Sequence, residues 1–203
     1  MDGTAAKVYY AGGHQIERHV NMRVIAGTAR SLRLKTPENM DTRPTTDRIK
    51  ETLFNMLQPY LADAVFIDLY SGSGGIGIEA LSRGARHAYF VENNRNALAC
   101  ITENLQFTRL IDRATILKQD ALSALSGIRE KEADVIFMDP PYHCGYEEQV
   151  LQILSGAPYV TEHTLIVIEA ALTTDFSYLD QLGFCITREK CYKTNKHVFC
   201  RRK

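Results

Sequence analysis

Two short segments of the chain combine residues that chemistry needs in one place. The first is Asp139-Pro140-Pro141-Tyr142. Its prolines fix two successive φ angles and remove two N–H donors, so the local carbonyls stand as rigid acceptors. A carboxylate and a carbonyl held in this way suit the exocyclic amine of a nucleobase, whose lone pair is conjugated into the ring. Two acceptors hold the amine hydrogens and favour a pyramidal nitrogen with an exposed lone pair. Tyr142 offers a face on which the base stacks, worth about 1–3 kcal/mol. A Pro-Pro turn with Tyr142 as plain core packing would explain the prolines, but not the acid before them and the aromatic after them.

The second segment, Gly72-Ser73-Gly74-Gly75-Ile76-Gly77, fits G-x-G-x-x-G. Gly72, Gly74 and Gly77 would let the main chain turn tightly and a ligand approach it, with the N–H groups of a helix N-terminus behind. Glu92, twenty residues beyond Gly72, is placed to accept both ribose hydroxyls of an adenosine; a solvated charge at a strand end is the plainer alternative. Asp68 lies four residues before Gly72 and separates the possible nucleosides. It would repel a dinucleotide pyrophosphate by about 1–4 kcal/mol at a surface-like dielectric, whereas it attracts the sulfonium and ammonium of S-adenosylmethionine. Asp120 either accepts a hydrogen bond from the adenine amine or caps the helix that follows it.

These residues need elements to hold them. Apolar runs at 64–70, 88–91, 114–117, 134–138 and 164–168 read as strands buried on both faces, and helical spacing at 78–81, 96–110 and 146–154 falls between them. Two further extended segments, 184–187 and 197–200, flank a turn at 194–196. Strand-helix alternation predicts an α/β fold with a doubly wound, mostly parallel sheet and an antiparallel pair at its end. In such a sheet ligands sit outside the carboxyl ends of the strands, where all the residues above fall. Upstream, residues 22–37 predict a short hairpin around Gly27-Thr28-Ala29-Arg30-Ser31. A helix through Ile49, Leu53, Phe54 and Leu57 follows, capped by Thr45 or Thr46 and closed by Pro59. Residues 1–21 show no periodicity and read as a disordered tail or a start-site artefact.

Composition bounds the alternatives. The chain has 203 residues, 45% hydrophobic and 24% charged, enough for one ordinary globular core without disulfide or metal support. No run approaches the roughly 18 apolar residues of a spanning helix, and no secretory signal opens the chain, so a cytoplasmic location is expected. Five cysteines form no Cys-x-x-Cys pair, and the six histidines show no ligand spacing; reduced thiols and no metal site are expected. The net charge of zero hides an asymmetry of +4 over 1–50, −10 over 51–184 and +6 over 185–203. The basic ends read either as solvated surface or as a face for a polyanion. Arg23, Arg30 and Arg33, with Lys190, Lys193, Lys196 and the Arg201-Arg202-Lys203 tail, would contact phosphates. Arg43 and Arg48 would either line the catalytic mouth or form structural ion pairs.

A resemblance sharpens this reading. The Asp139 tetrapeptide matches the [Asp/Asn/Ser]-Pro-Pro-[Tyr/Phe/Trp] signature of Rossmann-like amino-group methyltransferases. Together with Met22-Arg23-Val24-Ile25-Ala26-Gly27, Arg43-Pro44-Thr45-Thr46-Asp47-Arg48, Glu51-Thr52-Leu53-Phe54-Asn55, Asp68-Leu69-Tyr70-Ser71-Gly72-Ser73-Gly74 and Glu79-Ala80-Leu81-Ser82-Arg83-Gly84-Ala85, it resembles the RsmD family of 16S ribosomal RNA guanine-N2 methyltransferases from about Met22 to the C-terminus. Tyr142 and Tyr70 stand where that family often has Phe. The resemblance implies a class I methyltransferase fold with a seven-stranded sheet whose last strand is antiparallel, and a small N-terminal β-hairpin extension. It also implies S-adenosylmethionine as donor, guanine N2 as acceptor, and the small ribosomal subunit or its assembly intermediate as substrate. Residues 22–58 are then an RNA-facing extension and 59–203 the methyltransferase domain, with a monomer expected. Asp139 and the Pro140 carbonyl would orient the amine, Pro141 would stiffen the turn, and Tyr142 would stack the base. The competing readings are a DNA adenine-N6 or cytosine-N4 methylase, a nicotinamide-dependent oxidoreductase, and a non-catalytic RNA-binding module.

Overall fold

The structure, a computed structural model, describes residues 22–37 and 47–203. The 1–21 tail, Arg43 and the proposed caps Thr45 and Thr46 lie outside the described residues. The short apolar runs form β1 (Val65–Leu69), β2 (His87–Val91), β3 (Ala114–Leu117), β4 (Val135–Met138) and β5 (Leu165–Ala171). Helices α1 (Asp47–Leu57), α2 (Gly75–Ser82), α3 (Arg95–Phe107), α4 (Ala121–Leu125) and α5 (Tyr146–Gly156) precede or separate them. Asn94 starts α3 by accepting hydrogen bonds from the Asn96 and Ala97 amides, as an N-cap should. The chain ends in β6 (Phe184–Cys191) and β7 (Asn195–Arg202).

The sheet order is β3-β2-β1-β4-β5-β7-β6. Strands β1 to β5 are mutually parallel, and β7 runs antiparallel to both β5 and β6, the mostly parallel arrangement with an antiparallel last strand that the sequence predicts. Strand order reverses at β1 and β4, which opens a crevice at their carboxyl ends. Side chains alternate across the strands, so the sheet divides two apolar layers. Ile67, Met138, Ile168 and Val198 meet the α4 and α5 side, including Leu125 and Leu151. Phe66, Phe90, Phe137 and Phe199 meet Phe54 of α1, Leu81 of α2 and Ile101 of α3.

Residues 22–37 join that second layer through Val24, Ala29 and Leu34. The expected hairpin is reduced to one antiparallel bridge pair, Arg23 with Arg33. Donors at its turn go to α2 instead. Ile25 and Ala26 N–H groups reach the Glu79 carboxylate at 2.7 and 3.0 Å, and Ala29 N–H reaches Ser82 Oγ at 2.9 Å. Glu79, fully buried, also binds Arg83 at 2.7 Å and Lys50 at 3.4 Å. Lys50 in turn donates to the Arg23 carbonyl. The inward face of α1 is therefore Lys50, Leu53, Phe54 and Leu57, with Lys50 buried where hydrophobicity alone points to Ile49. The predicted 194–196 turn moves as well. Extended strands carry Asn195 and Lys196 into β7, and the reversal falls at 192–194.

Candidate active site

Asp68 lies near the end of β1 and is 1% exposed. Its Oδ2 accepts the Gly77 N–H at 2.9 Å. Burial, and secondarily the Glu92 charge, push its pKa up to about 7 despite that hydrogen bond. Glu92 sits at the tip of β2; Oε2 accepts from Gly72 N–H at 2.9 Å and Oε1 from the Asn93 and Asn94 N–H groups. The glycine loop is thus tied to β2 through a carboxylate. Gly74 adopts φ 80° as it opens α2, a conformation that favours glycine. Gly77, expected against a ligand, is accounted for by packing. A Cβ there would stand 2.4 Å from the Phe90 ring, so its bare Cα lets α2 lie against β2. Asp120 caps α4. Its Oδ1 accepts from Ser123 N–H at 3.0 Å at the start of α4, and hydrogen bonding there holds its pKa below the ordinary value.

Asp139 follows the last residue of β4, on the opposite side of the reversal point from Asp68. Burial, then the Glu169 and Asp68 carboxylates, hold its pKa well above the usual range. Pro140 is buried and Pro141 exposed. Tyr142 is 38% exposed, and its hydroxyl reaches Glu169 Oε1 at the long distance of 3.4 Å. Both loops that frame the crevice hold a non-glycine residue in the left-handed region, Tyr70 and His143 at φ 62°. Such conformations cost roughly 1–2 kcal/mol each and concentrate at functional sites.

The structure adds residues that sequence reasoning missed. Glu169 lies in β5, two residues before its end and beside Asp139, since Met138 pairs with Ile168 one step earlier. It binds Asn195 Nδ2 at 2.5 Å and His197 Nε2 at 3.1 Å. Tyr192 reaches the other His197 nitrogen at 3.1 Å. The available signal was an acid directly after the fifth apolar run, the position class that singled out Asp68, Glu92, Asp120 and Asp139.

The donor set suits a cation. Glu169 and Asp68 each act on Asp139 and raise its pKa, and Glu92 acts on Asp68. A sulfonium and an ammonium would relieve that repulsion, whereas a pyrophosphate would add to it. The residues present therefore fit S-adenosylmethionine. Asp68 and the glycine loop would hold its methionine part, and Glu92 its ribose. Among the described residues no group of three or more His, Cys, Asp or Glu is arranged to hold a metal ion, and no helix is long and apolar enough to cross a membrane.

The basic residues separate into two sets. Arg30, Arg33, Arg48 and Lys193 are exposed, and Arg23 is exposed while paired with Asp47 at 2.7 Å. Arg33 and Lys35 line a surface hollow of about 360 Å³ beside Phe107, which is 58% exposed. Lys196 corrects the expectation of a phosphate contact. It is 8% exposed, lies 3.5 Å from Glu189 and stands over the Phe176 ring, because its place in β7 points it inward. The C-terminal tail is also committed internally: Arg201 donates to the Glu162 and His163 carbonyls, Arg202 to those of Leu154 and Ser155, and Lys203 pairs with Asp180.

The chain resembles known proteins along most of its length. YlbH of Bacillus subtilis is 39% identical over 150 residues, spanning 73% of this chain and 82% of that protein. Ribosomal RNA small subunit methyltransferase D of Escherichia coli is 35% identical over 149 residues, spanning 73% and 74%. The solved structure of yhhF from Escherichia coli superimposes with a TM-score of 0.77 at 30% identity, covering 90% of this chain and 98% of that one. The family model described as Conserved hypothetical protein 95 matches residues 22–201. The chain therefore belongs to the Conserved hypothetical protein 95 family, the RsmD family that its motifs resemble.

Proposed function

We propose that the protein transfers a methyl group from S-adenosylmethionine to the exocyclic N2 of a guanine in 16S ribosomal RNA of the small subunit. The observation that carries this reading is the meeting of Asp139, Pro140 and Tyr142 at the tip of β4 with the anionic crevice of Asp68 and Glu92 beyond the tips of β1 and β2. The relative named ribosomal RNA small subunit methyltransferase D supports the substrate class. Bound S-adenosylmethionine supplies an electrophilic methyl on its sulfonium. Asp68, Glu92 and the Gly72–Gly74 loop hold the donor, Tyr142 stacks the base, and Asp139 with the Pro140 carbonyl accepts the amine hydrogens so that the nitrogen lone pair faces the methyl. Asp139, with its raised pKa, is suited to take the proton that the amine releases. No covalent enzyme intermediate is needed, and positioning supplies much of the acceleration. Exposed Arg30, Arg33, Arg48 and Lys193 bind RNA phosphates, and Phe107 offers a stacking face beside Arg33 and Lys35.

The test is incubation with labelled S-adenosylmethionine and unmethylated small subunits, with duplex DNA in parallel, followed by nucleoside mass analysis. N2-methylguanosine from the particles is expected. Methyladenine or methylcytosine from the DNA would replace this reading with that of a DNA methylase.

A further inference from the structure

Near its carboxyl end, two residues before Ala171, β5 carries a second buried carboxylate to which the proposed transfer gives no task. Glu169 is 6% exposed, and its orientation is fixed from outside the reacting loop. With the Tyr192 hydroxyl donating to His197 Nδ1, the ring hydrogen lies on Nε2 and is donated to Glu169 Oε2. Asn195 donates its amide hydrogen to Oε1. That amide is itself 5% exposed and its Oδ1 has no partner among the described residues. A carboxylate has about four lone-pair sites. Three are taken here, one of them by the long Tyr142 contact. Beside Asp139 the protein has thus gathered acceptors in excess of donors, an arrangement that costs free energy until a ligand brings hydrogens.

The edges of the bases differ in what they bring. Next to its amine, guanine presents N1–H, another donor. Next to theirs, adenine and cytosine present a ring nitrogen with a lone pair. A second carboxylate beside the amine-holding one therefore attracts guanine and repels the other two.

We propose that Glu169, oriented by His197 and Asn195, accepts the N1–H of the guanine whose N2 amine Asp139 holds, and so determines the choice of base. This rests on the methyl-transfer reading above. It assigns recognition to β5 and β7 and leaves the chemistry to β4.

The decisive probe is 2-aminopurine, which keeps the 2-amine of guanine but has a lone pair at N1. Small subunits are reconstituted with guanine or 2-aminopurine at the nucleotide that the unaltered protein methylates, and kcat/KM is measured on each. The unaltered protein is expected to prefer guanine by about 10- to 100-fold, the discrimination usual for a well-placed base contact. Glu169→Gln should slow transfer to guanine by a similar factor and bring the ratio near one, because its amide can donate to N1 of 2-aminopurine. Equal slowing on both particles would mark Glu169 as a structural residue and overturn the proposal. So would equal rates on both with the unaltered protein, a comparison that needs no variant to fold. Absence of N2 transfer to guanine by the unaltered protein would instead remove the methyl-transfer reading itself, and this proposal with it.

Discussion

Glu79 in α2 and Asp68 near the end of β1 are both buried and oppositely furnished. Glu79 receives two backbone N–H groups, a guanidinium and an ammonium. Asp68 receives one N–H, and Asp139 is acted on by burial and by two neighbouring acids. A buried charge is tolerated when donors surround it, and without them it stays protonated or waits for a cation. The first arrangement fastens residues 22–37 to the sheet. The second stores unfavourable free energy where a cationic donor and a donor-rich base edge would release it.

The largest effect should come from taking away the satisfied carboxylate. Glu79→Ala leaves Lys50 buried without its counter-charge and frees two N–H groups, so stability should fall by about 3–5 kcal/mol, read as a Tm drop of roughly 6–20 °C. A change below about 1 kcal/mol would erase the contrast. Asp139→Asn should act the opposite way. Transfer should slow by about 10²–10³-fold while Tm holds or rises and donor binding stays near normal. Full turnover in single-turnover kinetics would remove Asp139 from the chemistry.

Asp68 sharpens the comparison through pH. Its folded pKa of about 7 lies above its ordinary value, so the folded state keeps a proton that the unfolded chain has lost between about pH 4 and pH 7. Stability contributed by that proton declines across this range and is gone above it. Asp68→Asn should accordingly raise Tm of the donor-free protein by about 4–8 °C at pH 8, roughly 2 kcal/mol, with little change at pH 4. Donor affinity has the reverse sign, because the ionised carboxylate attracts the cation. Calorimetry should show S-adenosylmethionine binding tighten about tenfold from pH 6 to pH 8, with a proton released below pH 7; a flat profile would separate Asp68 from the donor. The smallest effect belongs to the surface. Replacing Arg30 and Arg33 with Gln should weaken RNA binding and lower the salt slope by about one per lost phosphate contact. An unchanged slope would leave those arginines merely solvated.

Much of the site follows from reading the acid or glycine after each strand, since an α/β sheet gathers its strand ends on one edge whatever the loops contain. Asp68, Glu92 and Asp139 were legible in this way, and so was the glycine loop. Asp120 falls in the same class, yet its side chain caps α4, because a local N–H three residues ahead is always within reach. Lys50 shows the converse. Nothing near it in the chain announces burial, which depends on Glu79 of α2 and on the Arg23 carbonyl.

The sequence alone determined the order of elements, the parallel sheet and the residues at four strand tips, because hydrophobic periodicity and short-range turn chemistry are local properties. Only the tertiary structure decided what the last two strands contribute. Antiparallel pairing of β7 with β5 sets Asn195 opposite Ala171 and His197 opposite Glu169. That pairing brings the start of β7 to the edge that carries the candidate site and sends Arg201, Arg202 and Lys203 to the far one. Residue alternation along the same strand turns Lys196 inward. Register between segments some thirty residues apart is fixed by packing of the whole sheet, and no local pattern encodes it.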